Sequence, residues 1–156
     1  MTRKITMDDL RELRYLEACI KETLRFFPPG IAVGRYLNEP MTLSNGLTIP
    51  AKSTVYVPVI FLHRDPQYFD QVDKFIPERH LDPHTRINPY AFIPFSAGPR
   101  VCIGQRYGMV ELKFVLASIF RKYKVRSLTN PKDVVIDVSG IIKPLTPVDV
   151  EFEARA

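Results

Sequence analysis

"FSAGPRVCIG", Phe95 to Gly104, sets one cysteine in a glycine-flanked loop just ahead of a long apolar pattern that opens near Gln105. A cysteine so placed lies beside the unsatisfied backbone N–H groups that begin a helix, here those of Ile103, Gly104 and Gln105. They favour its thiolate. A thiolate suits a nucleophile or a metal ligand, and a buried, inert cysteine in a capping turn is the competing reading. Three neighbours bear on the choice. Gly98 and Gly104 let the backbone pass close to a large flat group, Phe95 supplies an aromatic wall, and Arg100 carries a cation two residues before the sulfur. Phosphate binding is disfavoured, because the loop has neither G-x-G-x-x-G nor a Gly-Lys-Ser/Thr ending. A cysteine hydrolase would need a histidine partner, and spacing identifies none.

The chain as a whole narrows the chemistry further. Its 156 residues and 46% hydrophobic content suffice for one ordinary core. Fourteen prolines against seven glycines imply stiff, loop-like segments rather than a simple bundle. Cys19 and Cys102 share no context, so a disulfide framework is not expected and a reducing compartment is. His63, His80 and His84 cluster away from both cysteines, so the spacings of a zinc site are absent. The net charge of +5 is spread along the chain, apart from "RKYKVR" at Arg121 to Arg126, which reads as a solvated helix end. No nucleic-acid partner is expected. "MTRKITMDDL" lacks the apolar segment of a signal peptide, and no run approaches the roughly 18 apolar residues of a membrane span.

Two helices stand out. Thr6 and Asp9 have the spacing of a capping box, with Ile5 and Leu10 as its staple, so a helix should start near Met7. Leu13, Leu16, Ile20, Leu24 and Phe27 then form one stripe until Pro28-Pro29 stops it, giving about twenty residues. The second helix should run from about Gln105 to Tyr123, apolar round much of its circumference and hence buried by neighbours. Between them, residues 31–59 read as a small antiparallel sheet with a turn at Asn45-Gly46, followed by a proline-rich meander. Residues after 131 should form a terminal hairpin. The result is an α+β chain whose elements make a poor closed core, as expected of part of a larger domain.

An iron to ligate, a flat ring to admit and carboxylates to pair would answer all three features of the cysteine loop, and haem has them. "FSAGPRVCIG" resembles the haem-binding signature F-x-x-G-x-R-x-C-x-G of the cytochrome P-450 family, the haem-thiolate monooxygenases, and every fixed position matches. The resemblance implies that Cys102 is the axial ligand of the iron in iron protoporphyrin, that Arg100 pairs with a propionate, and that Phe95 and Gly104 shape the cofactor's cradle. "KETLR" resembles the family's E-x-x-R pair, Glu22 and Arg25, and "FIPER" supplies Arg79 to complete a buried Glu-Arg-Arg network. By periodicity alone, Glu22 and Arg25 would instead be an exposed pair opposite the apolar stripe, contributing about 0.2–0.5 kcal/mol.

Further implications follow from the same resemblance. Arg35 stands where a second propionate-binding arginine often occurs, with a sheet-edge cation as the alternative. His63 in "FLHRDP" is read as a turn histidine satisfied by backbone. "PPGIAVG" and "IIKPLTP" match pocket-lining segments, or are plain apolar loops. Two departures, His80 where an aromatic is usual and Gly108 where alanine is common, should weaken local packing, the glycine by about 1 kcal/mol. "KETLRFFPP" and "CIGQRYGMVELK" most resemble the branch containing fatty-acid ω-hydroxylases.

The implied fold is the C-terminal part of the mainly α cytochrome P-450 domain, with residues 1–156 one portion of a single domain. The N-terminal anchor and the distal oxygen-binding helix are not recognisable in it. No catalytic residue is expected beyond the haem ligand. The implied reaction inserts one oxygen atom from O2 into a hydrophobic substrate, fatty acid-like or xenobiotic. Electrons would come from an NADPH-dependent reductase, with Arg106 and Lys113 as candidate docking cations. The implied location is the endoplasmic reticulum membrane, through parts outside this chain. A different class stays open: a truncated, non-catalytic fragment that acts at most as a haem-binding or interaction module.

Overall fold

A computed structural model describes residues 3–82 and 87–155. His84 lies outside the described residues. The first helix, α1 (Met7–Glu12), starts where the sequence places it: Thr6 Oγ1 accepts the Asp9 N–H at 3.3 Å, and Asp9 Oδ2 accepts the Thr6 N–H at 2.8 Å. The twenty-residue helix expected from the stripe is interrupted. Leu13, with ψ 59°, leaves helical space, and a second helix, α2 (Arg14–Phe26), begins after it. The apolar spacing continues across the break, so periodicity does not register it, and neither glycine nor proline marks it. Both helices then reach the long C-terminal helix.

Helix α2 is buried on more than the face that periodicity marks: Ile20 and Leu24 of the stripe are buried, and so is the polar side opposite them. Ala18, Glu22 and Arg25 are its most buried residues, while Phe27, at the end of the apolar stripe, is exposed. Leu13, Leu16 and Ile20 meet Leu116, Ala117 and Phe120 across an apolar groove of about 760 Å³. Beyond α2 the buried apolar residues include Val59, Phe69 and Ala91.

Residues 31–59 form two separate antiparallel ladders rather than one sheet. β1 (Val33–Tyr36) pairs with β4 (Thr54–Val57), and between them β2 (Met41–Thr42) and β3 (Thr48–Ile49) make a short hairpin. Its turn carries Gly46 at φ 85°, a conformation that glycine adopts without steric cost. A four-residue helix, α3 (Val59–Leu62), leads into the meander, which contains a 3-10 turn at Pro77–His80.

The long helix α4 (Gln105–Lys122) was expected to be buried on most sides. Within this chain Lys113 is its buried residue, and Leu112, Phe114, Val115 and Phe120 are exposed, because α1, α2 and one strand cover only part of it. That strand also corrects the reading of "RKYKVR". Helix α4 ends at Lys122 and the chain extends as β5 (Tyr123–Ser127), which pairs with the last strand, β8 (Val150–Ala154). The register sets Lys124 opposite Glu153 and Arg126 opposite Glu151, so the basic run is matched by a cross-strand acidic one. The terminal hairpin is consequently smaller than expected: β6 (Ile136–Asp137) and β7 (Lys143–Pro144), while β8 pairs away from it. Helices and small antiparallel ladders together make the chain α+β.

Candidate functional site

Glu22 is the centre of a buried polar cluster. Its carboxylate accepts Arg25 Nε on Oε2 and Arg25 Nη2 on Oε1, each at 3.0 Å, together with Arg79 Nε at 3.2 Å and the Ile76 N–H at 2.9 Å. Glu22 and Arg25 are both 0% exposed, which excludes the surface-pair reading. Arg25 uses its remaining N–H groups on backbone, donating to the carbonyls of His63, Val72 and Lys74. One helix is thereby joined to three places in the meander. Burial opposes ionisation of Glu22, but hydrogen bonds from His80, Arg25 and the Ile76 N–H outweigh it and hold its pKa at about 2.

His80 corrects an expectation. Rather than loosening local packing, its ring lies 5.1 Å from that of Phe92, and its Nε2 is 3.1 Å from Glu22 Oε2. Phe92 also meets His63, with centroids 5.2 Å apart. His63 is fully buried and its Nε2 accepts the Ile93 N–H at 2.9 Å, so its proton resides on Nδ1. Burial pushes its pKa down to about 4. Sequence reasoning missed the contacts of His80 and Phe92, because side chains 12 residues apart in a nonperiodic loop give no local signal of meeting.

The segment from Ile93 runs directly into the cysteine loop. Ser96 (φ 66°) and Gly98 (φ 75°) bend it sharply, and Cys102 N–H closes it by donating to the Phe95 carbonyl at 2.8 Å. Gly98 has the left-handed conformation that its residue type tolerates, with open space beside it. One detail differs from expectation: the Gln105 N–H donates to the Cys102 carbonyl at 3.2 Å, so it is engaged within the turn rather than turned to the sulfur. Gly104 lies beside that sulfur: a Cβ there would sit 3.7 Å from Sγ, in ordinary van der Waals contact.

Cys102 is exposed and lines a cleft of about 310 Å³ with Leu24, Val33, Val59, Phe95 and Arg100. Of the two candidate cations, Arg100 lines this cleft, and Arg35 reaches the same loop by donating to Ser96 Oγ at 3.3 Å. Lys113 is a correction. It is buried and donates to Glu17 Oε2 at 2.9 Å, tying α4 to α2, and so does not present a docking charge; Arg106 is exposed.

This donor set constrains any metal. Among the described residues no group of three or more His, Cys, Asp and Glu side chains could hold an ion, so a metal at Cys102 would need most of its ligands from a group that brings them with it. The cleft that would receive such a group is lined mostly by apolar side chains, with Arg100 among them. Haem fits that requirement. A family model for cytochrome P450 matches residues 1–152. Cytochrome P450 4g15 of Drosophila melanogaster and cytochrome P450 4c21 of Blattella germanica are each 40% identical to this chain, over 98% and 96% of it. Cytochrome P450 4V2 of Homo sapiens is 36% identical over 98%. The chain covers 27%, 30% and 29% of those three proteins. It belongs to the cytochrome P450 family.

Proposed function

We propose that this chain is the thiolate-bearing, C-terminal part of a single cytochrome P450 domain that acts as a haem-dependent monooxygenase on a hydrophobic substrate. The observation that carries this reading is the exposed Cys102 thiol in a largely apolar cleft that Arg100 also lines, with no group of three or more His, Cys, Asp and Glu side chains able to hold an ion among the described residues. Bound there, haem supplies the activation of O2, favoured by electron donation from a thiolate ligand. The chain's own residues do the rest of what can be assigned. Cys102 would ligate the iron, Arg100 and Arg35 would pair with the propionates, Phe95 and Gly104 would shape the cradle, and Glu22, Arg25 and Arg79 fix the helix and meander that frame the loop. Leu24 and Val59 exclude water from the cleft floor, since both are buried.

An NADPH-dependent reductase would supply electrons, and the exposed Arg106 beside the loop is a docking cation for it. Residence in the endoplasmic reticulum membrane would depend on residues other than these, because no described helix is long and apolar enough to cross a bilayer. Fatty acid-like substrates are favoured by the motifs shared with the ω-hydroxylase branch. One observation favours the second reading, a non-catalytic fragment: the apolar groove between α2 and α4 and the exposed side chains of α4 want a covering that this chain does not provide.

The test is reductase-driven oxidation of a medium-chain fatty acid, run on a protein containing this chain at the length of its relatives and on residues 1–156 with added haem. The longer protein should turn over in a haem-dependent manner and the shorter should not. Sustained turnover by residues 1–156 would contradict the partial-domain reading. Absence of haem-dependent turnover with any hydrophobic substrate in the longer protein would favour the non-catalytic one.

A further inference from the structure

His80 sits between the two halves of the site. Its side chain is 3% exposed, its Nε2 meets Glu22 Oε2 at 3.1 Å, and its ring lies against Phe92. Phe92 precedes Ile93, whose N–H is held by His63, and Phe95 accepts the Cys102 N–H. We propose that His80 is a positioning residue that couples the buried Glu22 cluster to the cysteine loop, holding the carboxylate through Nε2 and the loop's approach segment through its ring on Phe92. A phenylalanine at this place could do only the second. The proposal rests on Cys102 being the functional residue of the loop, but its test needs no haem.

The charged and titratable groups around the contact are few. Arg25 comes from α2, Arg79 from the same 3-10 turn, and His63 stands across Phe92 with Arg25 and Arg64 beside it. With His80 donating from Nε2, Glu22 Oε2 gains a second hydrogen bond beside the one from Arg25 Nε. Loss of that bond should therefore make Glu22 easier to protonate. Loss of the ring should instead free the segment from Phe92 to Phe95.

Two variants of the 156-residue chain separate these roles. His80→Phe keeps a ring and removes the hydrogen bond, so the pH midpoint of acid unfolding, followed by circular dichroism, should rise by roughly half a unit. His80→Gln keeps a donor and removes the ring. Its Cys102 amide should exchange with deuterium roughly threefold to tenfold faster than in the unaltered chain, with Ile93 following it. An unchanged acid midpoint in His80→Phe would overturn the carboxylate half of the proposal, and an unchanged Cys102 exchange rate in His80→Gln would overturn the coupling to the loop. Failure of the haem reading would show in haem binding instead, so the two fail separately.

Discussion

Glu22 and Arg25, one turn apart on α2, are wholly buried and face each other through two hydrogen bonds of 3.0 Å. Deleting either partner leaves the other charged, desolvated and short of its counter-charge, whereas deleting both leaves only Arg79 without its carboxylate. Glu22→Ala or Arg25→Ala should each cost about 3–5 kcal/mol, with the double variant far less destabilised than the sum. Urea unfolding of the four chains measures this. Additive losses below about 1 kcal/mol would return the pair to the status of a surface contact.

Acid should act in two windows. His63 is neutral when folded, its pKa depressed from 6.5 to about 4 by burial, so an unfolded chain binds the extra proton. Its stabilising contribution is complete above pH 6.5 and declines as pH falls towards 4. Glu22 is depressed from 4.5 to about 2, so its contribution is complete above 4.5 and is lost on falling towards 2. That second loss is on the order of 3 kcal/mol. Unfolding free energy measured from pH 7 to 3 should decline throughout, and His63→Gln should flatten the part between 6.5 and 4. A stability that rises on acidification would contradict both assignments.

Gly108 lies in the second turn of α4, and a Cβ there would meet nothing within 4 Å. Gly108→Ala should therefore raise stability by about 1 kcal/mol through helix propensity alone. A thermal melt compares the two. No gain would indicate that this turn is not helical in solution.

Arg126 and Glu151 provide a contrast to the buried pair. They approach to 2.7 Å across β5 and β8, yet their side chains are 72% and 53% exposed. Water and salt screen such a pair, so Arg126→Ala should cost less than about 1 kcal/mol and the loss should shrink further in high salt. A salt-insensitive cost of several kcal/mol would be inconsistent with this exposure.

Local chemistry is what the sequence displays best. The Thr6 and Asp9 cap, the Gly46 turn and the stop at Pro28 are each set by residues within four positions of one another, and the structure has all three. The cysteine loop was legible as a motif for the same reason. Tertiary choices were not. The break at Leu13 preserves apolar spacing, and β8 bypasses its neighbour β7 to pair with β5, where Arg126 faces Glu151 and Tyr123 meets Phe152 across a length of chain that no local pattern spans. Burial of Glu22 escapes any hydrophobic periodicity, since the force that puts it inside is a set of donors from the meander. His80 escapes for the same reason, its two partners lying 58 and 12 residues away.

The central claim is that Cys102 ligates haem iron, and the carbon-monoxide difference spectrum tests it most directly. The haem-loaded protein carrying Cys102 should show a thiolate-type Soret band, and Cys102→Ala should lose it while Gly108→Ala keeps it. A thiolate-type band that persists in Cys102→Ala would contradict the claim.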